Sequence, residues 1–192
     1  MNFIWQNVLG KNRKKESLSH CLKLNYLFQD LSRREIELVS NIVHKRTFRA
    51  GEPIFHQGEI GVGMFIVMKG VVDIFVQDAN KMDPNERVFI TRLENGDFFG
   101  ELALIEDNSV RSATAVSQTE SILLGFFRPD LLEIVNRSPA CGSKIVLRLC
   151  EVLGKRLLET TDKVSELARE LRELQSITQE NSEHGHTKTF TT

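Results

Sequence analysis

Hydrophobic positions recur with different periods along this chain, and each change of period marks a change of element. Phe3, Ile4, Trp5, Val8 and Leu9 lie at near-helical spacing, and the basic cluster Lys11, Arg13, Lys14 and Lys15 follows them. This segment reads either as a docking or membrane-surface peptide, since apolar area beside positive charge suits an anionic lipid face, or as a short helix folded back on the domain. Ser32-Arg33-Arg34-Glu35 forms a capping box, and Ile36, Val39, Ile42 and Val43 follow it at helical spacing. From about Thr47 the pattern becomes short apolar runs cut by glycine: Pro53–His56, Met64–Met68, Val71–Val76, Val88–Leu93, Ala113–Val116 and Ser121–Phe127. Many short strands separated by glycine turns indicate an antiparallel sandwich or barrel, not a βαβ sheet. The polar stretch Asp78–Arg87, which contains Pro84, reads as an exposed hairpin loop.

Helical spacing returns after Phe127, with Pro129 and Pro139 each suited to a first helical turn and Ser138 to an N-cap. A heptad pattern then runs through Cys150, Leu157, Val164 and Leu171 at a, and Val146, Leu153, Thr160, Leu167 and Leu174 at d. A helix of roughly 40 residues, about 60 Å long, has little use in one domain unless a partner covers it. A parallel homodimer through this C-terminal helix is therefore expected. Arg156, Thr161, Lys163, Ala168 and Glu170 at e and g form no neat opposite-charge pairs, so charge adds little to that expectation. Four segments follow: 1–16 amphipathic and basic, 17–137 the β-rich domain, 138–179 the long dimerisation helix, and 180–192 a polar tail read as disordered. His184 and His186 in that tail are ligand-like residue types, but the tail reading takes precedence over a metal site.

Composition narrows the function. With 41% hydrophobic and 27% charged residues and a formal charge of −1, the chain is an ordinary globular protein without the basic excess of a non-specific DNA binder. No apolar run approaches the ~20 residues that span a bilayer. Phe3 and Ile4 precede Lys11, the wrong order for a signal peptide. Three cysteines without a CxxC argue against a disulfide framework or zinc ribbon and for a reducing cytoplasm. The β-rich region offers only His44 and His56, with no His–X–His strand pair and no nucleophile–base set, so neither an enzyme nor a metal site is expected.

The chemistry concentrates in GDFFGELALIEDNSVRSATA, Gly96 to Ala115. A short helix after Gly100 would aim backbone N–H groups at one point, which attracts an anion. Arg111 lies ten residues after Glu101 and is followed by Ser112 and Ala113. An arginine facing such a helix start supplies fork-like donors opposite the amides, a compact phosphate site, and Ser112 can add a hydroxyl. Glu101 would repel phosphate and suits a sugar hydroxyl instead. The alternatives are that Glu101 merely favours a helix N-terminus and that Arg111 pairs with Glu106 or Asp107.

This segment, with the upstream run RAGEPIFHQGEIGVGMFIVMKGVVDIFV, resembles the phosphate-binding cassette and early strands of the cyclic-nucleotide-binding domain family. The likeness covers about Leu27 to Leu174. It implies a jelly-roll-like β-barrel of about eight antiparallel strands flanked by helices, with cAMP or cGMP as ligand. By the same resemblance Arg111 binds the cyclic phosphate and Glu101 the ribose 2′-hydroxyl. Gly100 and the amides around Leu102 and Ala103 complete the cradle, and Ile90 and Leu93 touch the purine and sugar. The detail is most similar to the catabolite-activator branch, with its serine after the arginine; Val110 replaces the proline of many eukaryotic members, the bacterial pattern. GKRLLETTDKV resembles the stretch where that branch reads adenine. Thr160 is thereby assigned to the purine of its own subunit, Thr161 to the nucleotide of the other subunit, and Arg156 to Glu101. Thr160 also falls at a heptad d position, where a polar residue can set register.

That branch carries a DNA-binding helix-turn-helix domain of roughly 70 residues after the long helix. The polar residues past Leu174 supply no recognition helix, so DNA binding is not carried over. The expectation is a cyclic-nucleotide receptor acting on an effector protein, with cAMP favoured over cGMP. A cyclic dinucleotide would need more cations near the cassette than Arg111. The alternative is a nucleotide-independent interaction module with a vestigial pocket.

Overall fold

The computed structural model describes residues 18–77 and 87–186, with side chains to residue 176. The amphipathic segment 1–16 and most of the expected hairpin loop lie outside the described residues. The chain divides into two compact units, residues 1–149 and 150–192. In the first, a helix over 18–24 (α1) and a 3₁₀ turn at Tyr26–Phe28 precede α2 (Arg33–Ser40). The strands β1 (His44–Phe48), β2 (Pro53–Phe55), β3 (Gly63–Lys69), β4 (Val72–Gln77), β5 (Arg87–Leu93) and β6 (Phe98–Phe99) follow. Then come α3 (Leu102–Ile105), β7 (Thr114–Ser117), β8 (Ser121–Phe127), α4 (Arg128–Arg137) and α5 (Pro139–His186), which continues into the second unit.

The strands form two four-stranded antiparallel sheets, in the orders β1-β8-β3-β6 and β2-β7-β4-β5. The result is an open double-sheet jelly roll rather than a closed barrel. Each apolar run of the sequence is a strand because its alternate residues meet a second apolar layer. Phe65, Val67, Phe99 and Leu123 of one sheet face Val72 and Ala115 of the other, with Phe48, Ile54, Phe55, Ile74 and Leu93 packed around them. The opposite face of the first sheet, Met64, Ile66, Leu124 and Phe126, is also fully buried. The Phe28 ring meets Phe126 edge-on there, with centroids 5.9 Å apart. β3 and β8 therefore read as continuous apolar runs: both their faces are covered. Two strands lie outside the apolar runs. Four of the five residues of β1 are exposed and polar, and β6 is only two residues long.

The capping box forms as expected: Glu35 N–H donates to Ser32 Oγ and Ser32 N–H to Glu35 Oε2. Glu35 does more than cap, since Lys144 of α5 reaches both its carboxylate oxygens at 2.9 Å. Arg148, one turn further, bonds Asp30 at 2.6 Å and Tyr26 Oη at 3.1 Å. These contacts seat the base of α5, whose Cys141, Ile145 and Leu149 are buried. Ser138 closes α4 and its carbonyl accepts from Gly142 N–H, the first bond of α5, so one residue serves both helices.

In the second unit Leu157, Val164, Leu167, Leu171 and Leu174 are 51–68% exposed, an apolar row along one helix. The helix reaches His186, past the expected end at 179, through a stretch without proline.

The Lys144 ammonium, with the Ser32 amide, pulls the Glu35 carboxyl down to about 2 from an ordinary 4.5. A depressed carboxylate stabilises the fold above its unfolded value and loses that contribution as pH falls from about 4.5 toward 2. Lys144→Ala should cost about 1 kcal/mol at pH 7. Urea denaturation from pH 7 down to 2.5 should show the gap between variant and wild type closing below about pH 4.

Candidate ligand-binding site

The strand pair β3/β6 ends where the chain must turn sharply into α3. Gly100 makes that turn at φ +76°, in the left-handed region where a side chain is strained. Glu101 precedes the first turn of α3 and is 5% exposed; Ala103 and Leu104 face inward, while Leu102 and Ile105 face out. The chain then loops back through Asn108, at φ +55°, to Arg111. Arg111 N–H donates to the Glu59 carbonyl at 2.8 Å, and its carbonyl accepts from Gly58 N–H at 2.9 Å. Gly61 N–H donates to Ser109 O at 2.7 Å, and Ile60 bridges Val110. The turn after β2 and the segment before β7 are thus zipped together, which sets the Arg111 Cα.

The Arg111 side chain is folded inward, and the residue is only 8% exposed. Nη1 donates to Gly100 O at 3.0 Å and Nη2 to Gly63 O at 2.7 Å. The guanidinium carbon lies 4.1 Å from the centroid of the Phe55 ring. Glycines supply the room: a Cβ on Gly61 would come within 2.8 Å of that carbon, and one on Gly100 would collide with Nη1. Of the five N–H donors of the fork, two bond these carbonyls. Burial pushes the guanidinium below its usual value, while the charges of Glu59 and Glu101 act in the opposite direction. Among the described residues the Arg111 guanidinium bonds carbonyls and forms no ion pair with Glu106 or Asp107. Asp107 instead lies 4.0 Å from Arg128. The arrangement is one buried cation, bordered by a helix start and two acidic groups, able to receive a single anionic group beside hydroxyls.

The structure brings Gly100, Glu101, Ala103 and Arg111 together. Leu102 and Ser112 are exposed neighbours, and Ala113 is half-buried. Leu93 packs against the inter-sheet core, paired across from Val72. Ile90 is 53% exposed and sits at a register shift, since Ile74 pairs with Thr91 and Phe75 with Phe89. Such a bulge re-aims a side chain. Arg156, Thr160 and Thr161 lie on the second unit. There Thr160 Oγ1 donates to Arg156 O at 2.7 Å and Thr161 Oγ1 to Leu157 O at 2.8 Å.

Two features were missed by sequence reasoning. Gly61 reads as a turn separator, yet its missing Cβ makes room for Arg111 about 50 positions away, which no local pattern reveals. Phe55 sits inside an ordinary apolar run.

Fold and site together define a double-sheet jelly roll with a buried arginine set against a short helix. Residues 45–138 match the family described as cyclic nucleotide-binding domain. The chain is 32% identical over 138 residues to the cyclic AMP receptor protein of Thermus thermophilus, covering 72% of this chain and 60% of that protein. It is 34% identical over 121 residues to a cGMP-dependent protein kinase of Plasmodium berghei, covering 61% of this chain and 13% of the kinase. The crystal structure of the Thermus thermophilus catabolite activator protein superposes with a TM-score of 0.67 at 30% identity, over 75% of this chain and 63% of that one. The chain belongs to the cyclic nucleotide-binding domain family. It spans less than two thirds of the length of these relatives.

Gly100→Ala forces a Cβ into a left-handed backbone and onto Arg111 Nη1. It should destabilise the fold by about 1–3 kcal/mol, read from the urea midpoint.

Proposed function

We propose that the protein is a receptor for a cyclic mononucleotide, preferentially cAMP, that passes its bound state to a partner protein. The observation that carries this reading is the buried Arg111 fork, held by Gly63 O and Gly100 O, as donor to a cyclic phosphate. Glu101 would accept from the ribose 2′-hydroxyl. Gly100, the amides of Leu102 and Ala103, and Ser112 and Ala113 would complete the phosphate cradle. Ile90 and Leu93 would line the purine and sugar. The glycine clearances support the fit, because side chains at 61 or 100 would fill the space that Arg111 occupies.

The preference for adenine rests on Thr160 and Thr161, which the resemblance assigns to the purine. Both hydroxyls donate into their own helix and so present acceptor lone pairs outward. An acceptor suits the exocyclic amino group of adenine and opposes the carbonyl that guanine carries there. Arg156 is assigned to Glu101 by the same resemblance. The relatives named for cyclic AMP and for cGMP keep both nucleotides in the test. The reading is of a cytoplasmic binding protein without catalysis, dimeric through the apolar row of α5 and coupled to an effector protein.

Thermal-shift titration with cAMP, cGMP and cyclic di-GMP tests the receptor reading. At 100-fold excess over its Kd, a ligand of the native state adds about 2.7 kcal/mol and raises Tm by several degrees. cAMP should give the largest shift and Arg111→Gln should abolish it. No shift in folded wild type with any of the three would overturn the reading and leave a nucleotide-independent interaction module.

Sedimentation equilibrium tests the assembly. Wild type should be a dimer and Leu157→Glu/Leu171→Glu a monomer, with the circular dichroism of the β-domain retained, since both side chains are exposed in the single chain.

A further inference from the structure

Phe55 closes β2 and is half-buried, yet its ring does more than fill the core. Its centroid lies 5.7 Å from that of Phe99 and 6.3 Å from that of Phe65, so it is braced from behind by the inter-sheet aromatics. The Arg111 guanidinium lies 4.1 Å from its centroid while the fork donates to Gly63 O and Gly100 O. Gly61 gives the clearance that lets the guanidinium approach so closely. A planar, delocalised cation stacks on an aromatic ring, and a desolvated contact of this kind is stronger than an exposed one. An arginine has several free torsions, and an anion that meets it already ordered loses less affinity to ordering.

We infer that Phe55 is a positioning residue for the anion site: its ring holds the Arg111 fork in place before ligand arrives, and the affinity of the site depends on an aromatic side chain at this position. The inference rests on the cyclic-nucleotide reading for its ligand, but its geometry concerns the free protein.

The experiment uses the full chain with Phe55→Leu, Phe55→Met and Phe55→Tyr. Leucine and methionine keep apolar bulk and lose the π face; tyrosine keeps the ring. The first readout is the Arg111 Nε–Hε signal in ligand-free ¹H–¹⁵N spectra, assigned by its loss in Arg111→Gln. It should stand apart from the exposed arginines in wild type and Phe55→Tyr and fall among them in Phe55→Leu and Phe55→Met. The second is calorimetric titration with cAMP, where the aliphatic variants should raise Kd about fivefold and tyrosine should restore it to within about twofold.

An Arg111 signal and a Kd unchanged in a folded aliphatic variant would overturn the inference. So would equal weakening by leucine and tyrosine, which would mark a packing effect alone. If Phe55→Leu does not fold, Phe55→Met carries the comparison. If folded wild type binds no nucleotide, the receptor reading fails, while the Arg111 signal across the variants still decides whether the ring positions the fork.

Discussion

Burying the Arg111 cation at the rim of an aromatic core requires neighbours that tolerate or stabilise its charge. The chain meets that constraint with parts from four places. Phe55 presents a π face, Gly63 and Gly100 present carbonyls, Gly61 presents empty space, and Glu59 and Glu101 present negative charge. The backbone of Arg111 is tied to Glu59 and Gly58, so the side chain starts from a set point. Two carbonyls accept from the fork and so offset part of the cost of burying the cation. The left-handed Gly100 and the loop through Asn108 follow from the same demand, since the chain must leave β6, make one helical turn and return to the arginine within a few residues.

The two sheets serve this arrangement by holding β2, β3 and β6 at one end of the inter-sheet core. Phe55, Phe65 and Phe99 come from those three strands and pack together, so the ring under the cation is braced by the same residues that close the core. The helical layer on the opposite face is anchored separately. Glu35 caps α2 and binds Lys144, while Arg148 binds Asp30 and Tyr26. The base of α5 is thereby part of the first unit, and its continuation is a long helix with an apolar row.

Much of the fold was legible in the chain. The glycine-cut apolar runs correspond to strands, the capping box forms as read, and the cassette residues Gly100, Glu101, Ala103 and Arg111 do come together. These features are local: a capping box needs four adjacent residues, and a strand needs alternation over five or six. β1 and β6 escaped because a polar edge strand and a two-residue strand carry no period. Ile90, assigned by the resemblance to the purine and sugar, sits at a register shift that no local spacing announces.

The sequence by itself determined the types of most elements, the family likeness and where the charged residues stand, because each is written in short-range spacing. Only the tertiary structure decided that Phe55 lies against Arg111, that the missing Cβ of Gly61 makes room for an arginine about 50 residues away, and that Glu35 is shared between a helix cap and Lys144. Those relations join residues distant along the chain, and distance along a chain says nothing about distance in space until the sheets have packed.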